Sequence, residues 1–191
     1  MRELATKGYA PAARALLERA RRESRPQTLP FGVPVQDARA ALAALNAGSF
    51  SELQPARSTP SVQCLQSALW LLFDCFPESH TLAQGIHTAS GSYLHAIQHR
   101  REPDASNSKH WFSRVGAHPV FEELLQDARK LAGQSPVAGL AELVRAAAWD
   151  PDLMVKLCTG AQGPDLTGAL LAIQRRELEL LFDYEFRAAF E

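Results

Sequence analysis

Helical periodicity runs through almost the whole of this chain. Apolar residues recur every three or four positions, and no strictly alternating apolar–polar run is long enough to indicate a strand. Proline-rich stretches at 25–34 (RPQTLPFGVP) and 51–60 (SELQPARSTP) interrupt the pattern, because proline is excluded from helix interiors. The sequence therefore predicts an all-α protein, a single-domain bundle of roughly eight helices over residues 1–191. Residues 1–33 belong either to this domain or to a peripheral N-terminal arm.

The segment 61–76 is apolar on nearly every side. One stripe contains Val62, Leu65, Leu69, Leu72, Phe73 and Phe76, and Cys64, Ala68, Leu71 and Cys75 widen it. A helix that is hydrophobic all round is a buried helix. We therefore expect this helix, with Ser61 as its N-cap and Pro77 at its end, to form the centre of the core. Leu69 and Phe73 should lie deepest.

The remaining helices follow from caps and breakers. They are predicted at about 11–23, 35–48, 79–86, 92–101, 105–114 and 119–132, in two short segments divided at 149–151, and at 165–190 with Asp165 as N-cap.

Charge, hydropathy and cysteine content exclude several classes of protein. The net charge of −1 gives no general basic field, so we expect no nucleic-acid partner. The longest apolar run, 68–76, contains Asp74 and falls well short of the ~20 residues that span a bilayer, so we expect no membrane association. The N-terminal residues contain no apolar signal-peptide core. Cys64, Cys75 and Cys158 form no CxxC motif and are predicted to be buried free thiols of a cytoplasmic protein.

Residues 87–118 (HTASGSYLHAIQHRREPDASNSKHWFSRVGAH) differ from the Leu/Ala-rich helices around them. Five of the six histidines lie here, together with several cationic and aromatic side chains. A charged, aromatic segment between core helices indicates a binding site. It matches no motif of defined chemistry, because GxSxG, Walker A and GxGxxG are absent and Ala96 stands where HExxH requires glutamate.

The candidate catalytic residues are His95, His99 and Glu102, which share one helical face at spacings i, i+4 and i+7. Either imidazole can serve as the acid or base if this face turns toward a cleft. Two imidazoles four residues apart can also bind one metal ion, for which His87, Glu102 and His118 are candidate third ligands. A solvated polar face remains the third alternative. His80 shares a face with His87 but is interpreted as an unrelated surface histidine.

The candidate ligand-binding residues surround this face. Arg100 or Arg114 can clamp an anion, because guanidinium groups bind carboxylate and phosphate in bidentate fashion, and Trp111 can form the wall. Asn107, Lys109 and His118 complete the set. In the alternative interpretation, Trp111 and Phe112 anchor the core and the cations pair with Glu102 and Asp104.

One resemblance follows from two segments, YLHAIQHRREPDASNSKHWFSRVGAHPVF at 93–121 and IQRRELELLFDY at 173–184. They resemble a family of uncharacterised bacterial and fungal proteins whose typical run reads roughly HAIxHRRExDxxNxKYWFxRVGxHP. The resemblance implies no known activity. An aromatic residue stands in that family at position 110, which favours His95, His99 and His118 over His110 as ligands.

Three functional hypotheses follow from these patterns. The first is a cytoplasmic protein whose pocket binds, and can transform, a small anionic molecule. The second is a non-enzymatic interaction module whose cationic and aromatic surface, within residues 87–118, docks an acidic protein segment. The third is a histidine-based divalent metal site. The sequence specifies no cofactor, substrate or oligomeric state.

Overall fold

A computed structural model describes residues 8–23, 32–52, 54–160 and 163–191. The regular structure within these ranges is helical, apart from one isolated bridge between Tyr9 and Ser51, so the all-α prediction is confirmed. The helices are α1 Pro11–Arg22, α2 Gln36–Ala43, α3 Thr59–Leu72, α4 Phe76–Ala83, α5 Ala89–Arg101, α6 Ala105–Val115, α7 Val120–Gln134, α8 Ala141–Arg145, α9 Pro151–Thr159 and α10 Pro164–Phe190. Most of the predicted loop at 25–34 and the first part of the predicted arm lie outside the described residues.

The predicted count of roughly eight helices is wrong, because the described residues form ten. The short helices α4 and α8, with eight and five residues, correspond to segments predicted from caps and breakers, so the stated count was too low although the segments themselves were identified. A helix this short is stabilised mainly by tertiary packing, so its ends are hard to predict: α4 begins at Phe76, although the sequence predicted a start at 79.

The central helix begins and ends earlier than its apolar run predicts. Ser58, not Ser61, is the N-cap of α3, and its hydroxyl accepts a hydrogen bond from the Ser61 amide at 3.3 Å. The chain then turns at Asp74, whose φ of 57° lies in the left-handed region. Pro77 consequently falls in the first turn of α4, where proline is well tolerated. The last helix shows a similar difference, since Gly163 and not Asp165 occupies its N-cap.

Helix α3 packs against α10, α4 and α5 and forms the centre of the molecule. Leu69 and Phe73 retain 0% and 1% of their accessible surface, which confirms their predicted place in the deepest core. The hydrophobic core cluster extends from Tyr9 to Phe190 and includes Leu16 and Leu17 of α1. All three cysteines are buried free thiols, as predicted.

Helix α5 carries most of the candidate site residues and is buried along almost its whole length. Thr88 caps it, and every residue from Ser90 to Arg101 is buried between α3, α4, α6 and α9. Its polar side chains must therefore find partners inside the protein, because an unpaired buried polar group is costly. No helix in the described parts of the chain is long and apolar enough to cross a membrane.

Candidate functional site

Three histidines from α4 and α5 meet at one point. His95 and His99, one turn apart on α5, stack with ring centroids 4.7 Å apart. His80 of α4 lies edge-on to both rings, at centroid distances of 4.7 Å and 5.6 Å. The Nε2 atoms of His80 and His95 are 3.0 Å apart, and one ring nitrogen from each of the three lies within 4.8 Å of the others. We call His80, His95 and His99 the histidine cluster.

Buried hydrogen bonds next to the cluster fix the position of α4 on α5. Ser79 donates from its hydroxyl to the Ser67 carbonyl at 2.8 Å and accepts from the Gln98 amide at 2.7 Å. Ser67, in turn, donates to the Ser79 carbonyl at 3.1 Å. These side chains belong to α3, α4 and α5, so they set the register of three helices. Because His80 follows Ser79 directly, the same bonds bring its ring to His95.

Glu102, the C-cap residue of α5, orients His99. Its carboxylate lies 2.6 Å from Nδ1 of His99, and the Asn107 side-chain amide approaches the same nitrogen at 3.3 Å. A protonated Nδ1 donates to the carboxylate and leaves the lone pair on Nε2. A carboxylate that holds the outer nitrogen of an imidazole is the usual second shell of a histidine metal ligand.

Burial favours the neutral forms of His80 and His95 by lowering the pKa of each. Burial, together with the neighbouring His99 and His80, lowers the pKa of His95 to about 4. Burial and His99 also lower the pKa of His80, against an opposing effect of Glu102. Neutral imidazoles carry the free lone pair that a metal ion or an acid–base reaction requires.

Trp111 of α6 covers one face of His95. The two rings stack with centroids 4.0 Å apart and planes at 25°. The exposed Arg114 places its guanidinium 5.1 Å from the centroid of the same indole. Trp111 is half-buried, whereas Phe112 is buried against Tyr93 and anchors the core.

The structure contradicts the prediction that Arg100 clamps an anion. The guanidinium has no accessible surface and is fully paired with α10, where it contacts the Glu177 carboxylate and the Gln174 side-chain oxygen, the latter at 3.2–3.3 Å. Its partners lie on α10, which contributes no residue to the histidine cluster. Arg101 is buried in the same way against Asp74.

His118 does not join the histidine cluster, so its predicted ligand-binding role is also wrong. Its Nδ1 accepts from the Val120 amide at 3.3 Å, and its Nε2 lies 3.1 Å from the Ser90 hydroxyl, which donates to Glu185. Both ring nitrogens are thus occupied by buried partners from α5, α7 and α10. Burial lowers the pKa of His118 to about 4.

The other predicted residues lie at the margin of the site. Lys109 is partly exposed, with its ammonium 4.0 Å from Asp152 of α9. His87 and His110 are exposed and outside the cluster. Of the predicted set, His95 and His99 thus belong to the histidine cluster and Glu102, Asn107 and Trp111 contact it, while His80 is an addition. The interpretation of His80 as an unrelated surface histidine is wrong, because α4 folds back along α5.

A cavity of about 510 Å³ lies between α2, α3 and α4, with Leu42, Trp70 and Leu82 among its lining residues. None of the predicted site residues lines it. Comparisons with protein-family models, with curated proteins and with solved structures give no match to the chain. The resemblance described above therefore stays an expectation.

Proposed function

We propose that this protein binds a divalent transition-metal ion through His80, His95 and His99. The observation that carries the proposal is the convergence of three imidazoles from two helices, with one ring nitrogen of each within 4.8 Å of the others. Zinc–nitrogen bonds of about 2.0–2.1 Å place the ligand atoms of a tetrahedral site roughly 3.3 Å apart. The Nε2 atoms of His80 and His95 lie 3.0 Å apart in a hydrogen bond, so metal binding requires the donor ring of this pair to take the tautomer protonated on Nδ1.

The donor set favours particular metals. Imidazole nitrogen suits zinc, copper, nickel and iron, whereas magnesium and calcium prefer oxygen ligands. The carboxylate of Glu102 supports His99 from its outer nitrogen, an arrangement that fixes the tautomer and raises the basicity of the ligand. We therefore expect a zinc-type ion and no affinity for magnesium.

A metal-free anion pocket is less well supported by the contacts. Arg100 is occupied by Glu177, so of the two predicted clamps that hypothesis keeps only the exposed Arg114, next to Trp111. The docking hypothesis depends on the outer cations Lys109 and Arg114 and remains an untested prediction. The cytoplasmic location, inferred from the cysteines, also stays a prediction. Whether the site catalyses a reaction stays open.

Zinc titration of purified variants tests the proposal. Competition with a chromophoric chelator should give one zinc ion per chain, and His80→Ala should abolish that binding. His80 is only half-buried, so this variant should fold normally by circular dichroism. His87→Ala and His110→Ala remove exposed imidazoles outside the cluster and are matched controls. Zinc binding by His80→Ala at the wild-type affinity would refute the proposal.

A further inference from the structure

We infer that the metal ion of the histidine cluster takes a ligand from outside the chain, and that this ligand is a small anion with an oxygen or nitrogen donor. The inference rests on the proposed function and adds a binding partner to it. In this arrangement the metal ion binds the anion, so the guanidinium clamp that the sequence suggested is not required.

The number of protein ligands indicates that a ligand from outside the chain is needed. Within the described ranges, the group that can converge on one ion consists of three histidines, without a carboxylate or thiolate. The carboxylate of Glu102 is engaged 2.6 Å from Nδ1 of His99, which leaves Nε2 as the nitrogen of that ring open to the ion. Zinc-type ions take four ligands, and sites with three protein ligands bind a water molecule or substrate at the fourth position.

The net charge of the site indicates that this external ligand is an anion. Three neutral imidazoles leave the full double positive charge on the ion, and Glu102 compensates only one unit. Glu78 of α4 is paired with Arg39, so it contributes no free negative charge. Arg114 adds a positive charge on the outer side of Trp111. An ion of this kind attracts an anion more strongly than a neutral donor, and a partly buried site screens that attraction less than bulk water does.

Access to the cluster limits the size of the ligand. His95 and His99 are buried against each other, and Trp111 covers the remaining face of His95. Solvent reaches the cluster through His80, which is half-buried, and through Glu102, whose side chain is 30% exposed. A small monodentate anion fits this approach better than a bulky chelating one.

Cobalt substitution tests the inference, because the visible spectrum of Co²⁺ reports changes in its ligands. Wild-type protein is loaded with one equivalent of Co²⁺ in a buffer without coordinating anions and is then titrated with sodium azide. Native mass spectrometry measures the cobalt content before and after the titration. We expect a saturable spectral change at constant cobalt content.

Each other outcome identifies which claim fails. Absence of Co²⁺ binding by the wild-type chain would overturn the proposed function itself. A cobalt spectrum that azide leaves unchanged would overturn the inference alone, since the chain would then complete the coordination sphere. Loss of cobalt during the titration would also overturn it, because azide would then compete with the protein instead of joining the site.

Discussion

Glu102 decides which nitrogen of His99 can face a metal ion. Its carboxylate accepts from Nδ1 at 2.6 Å and so keeps the lone pair on Nε2. Glu102→Ala removes this acceptor and should weaken zinc binding about ten- to hundredfold, the usual cost of losing such a partner. Glu102→Gln keeps an acceptor oxygen without the charge, so its loss should be smaller. Chelator competition gives both dissociation constants.

The matched control for this prediction is Glu18→Ala, which removes an exposed carboxylate on α1. Its zinc affinity should equal that of the wild type. An unchanged affinity in Glu102→Ala would show that the His99 tautomer does not depend on this residue.

Arg100 forms a buried ion pair with Glu177 and contributes to the stability of the protein. The guanidinium and the Glu177 carboxylate both have 0% side-chain exposure. Arg100→Met leaves the Glu177 charge without a partner and should lower the free energy of unfolding in urea by about 3–5 kcal/mol. The double variant with Glu177→Leu should recover part of that loss, because both buried charges are then removed.

A surface pair provides the comparison. Arg22 and Glu18 lie 3.7 Å apart with side chains 69% and 51% exposed, and Arg22→Met should cost under about 1 kcal/mol. An equally small cost for Arg100→Met would mean that the Arg100–Glu177 pair is not essential to the packing of α5 on α10.

At the scale of elements, a metal ion in the cluster would cross-link α4 to α5, since His80 belongs to one helix and His95 and His99 to the other. Zinc at one hundred times its dissociation constant should raise the free energy of unfolding by about 2.7 kcal/mol. Urea unfolding with zinc and with a chelator measures the difference. Magnesium should have no effect, and neither should zinc on His80→Ala; a zinc effect that survives in that variant would place the ion elsewhere.

The sequence predicted the type of each element more reliably than its ends. The apolar run identified α3, and caps and breakers identified α5, because both signals are local in the sequence. The turn at Asp74 was missed, since its left-handed φ coincides with a buried contact to Arg101, which is distant in sequence. For the same reason Pro77 was assigned to the end of α3, although it begins α4.

The candidate site was predictable to the extent that it lies on one helix. Spacing placed His95 and His99 together because four residues make about one turn. His80 could not be assigned to them, because its position depends on how α4 folds back and on the Ser67–Ser79–Gln98 hydrogen bonds. The roles expected for Arg100 and His118 were wrong because sequence does not reveal that α10 supplies a buried carboxylate to each chain of contacts.

At the scale of the whole molecule, His118 couples acid stability to the packing of three helices. It contacts Ser90 of α5, precedes α7, and lies edge-on to Tyr184 of α10 at a centroid distance of 4.9 Å. Burial lowers its pKa from 6.5 to about 4, so between these values the unfolded chain binds a proton that the native protein does not. The free energy of unfolding should therefore fall as the pH falls from 6.5 to 4.

Urea unfolding across this pH range measures the effect. His118→Gln should show a shallower dependence on pH than the wild type, whereas His110→Gln, which changes an exposed ring, should keep the wild-type slope. Equal slopes for the wild type and His118→Gln would indicate that His118 ionises alike in the native and unfolded states.

The convergence of His80, His95 and His99 on one metal ion is tested most directly by a crystal structure of the zinc-loaded protein, with data collected at the zinc absorption edge. The account predicts one anomalous peak per chain, with a nitrogen of each of the three imidazoles about 2.0–2.1 Å from it. Glu102 should remain bonded to Nδ1 of His99. A peak at the exposed His87 or His110, or no peak in a fully loaded crystal, would contradict the account.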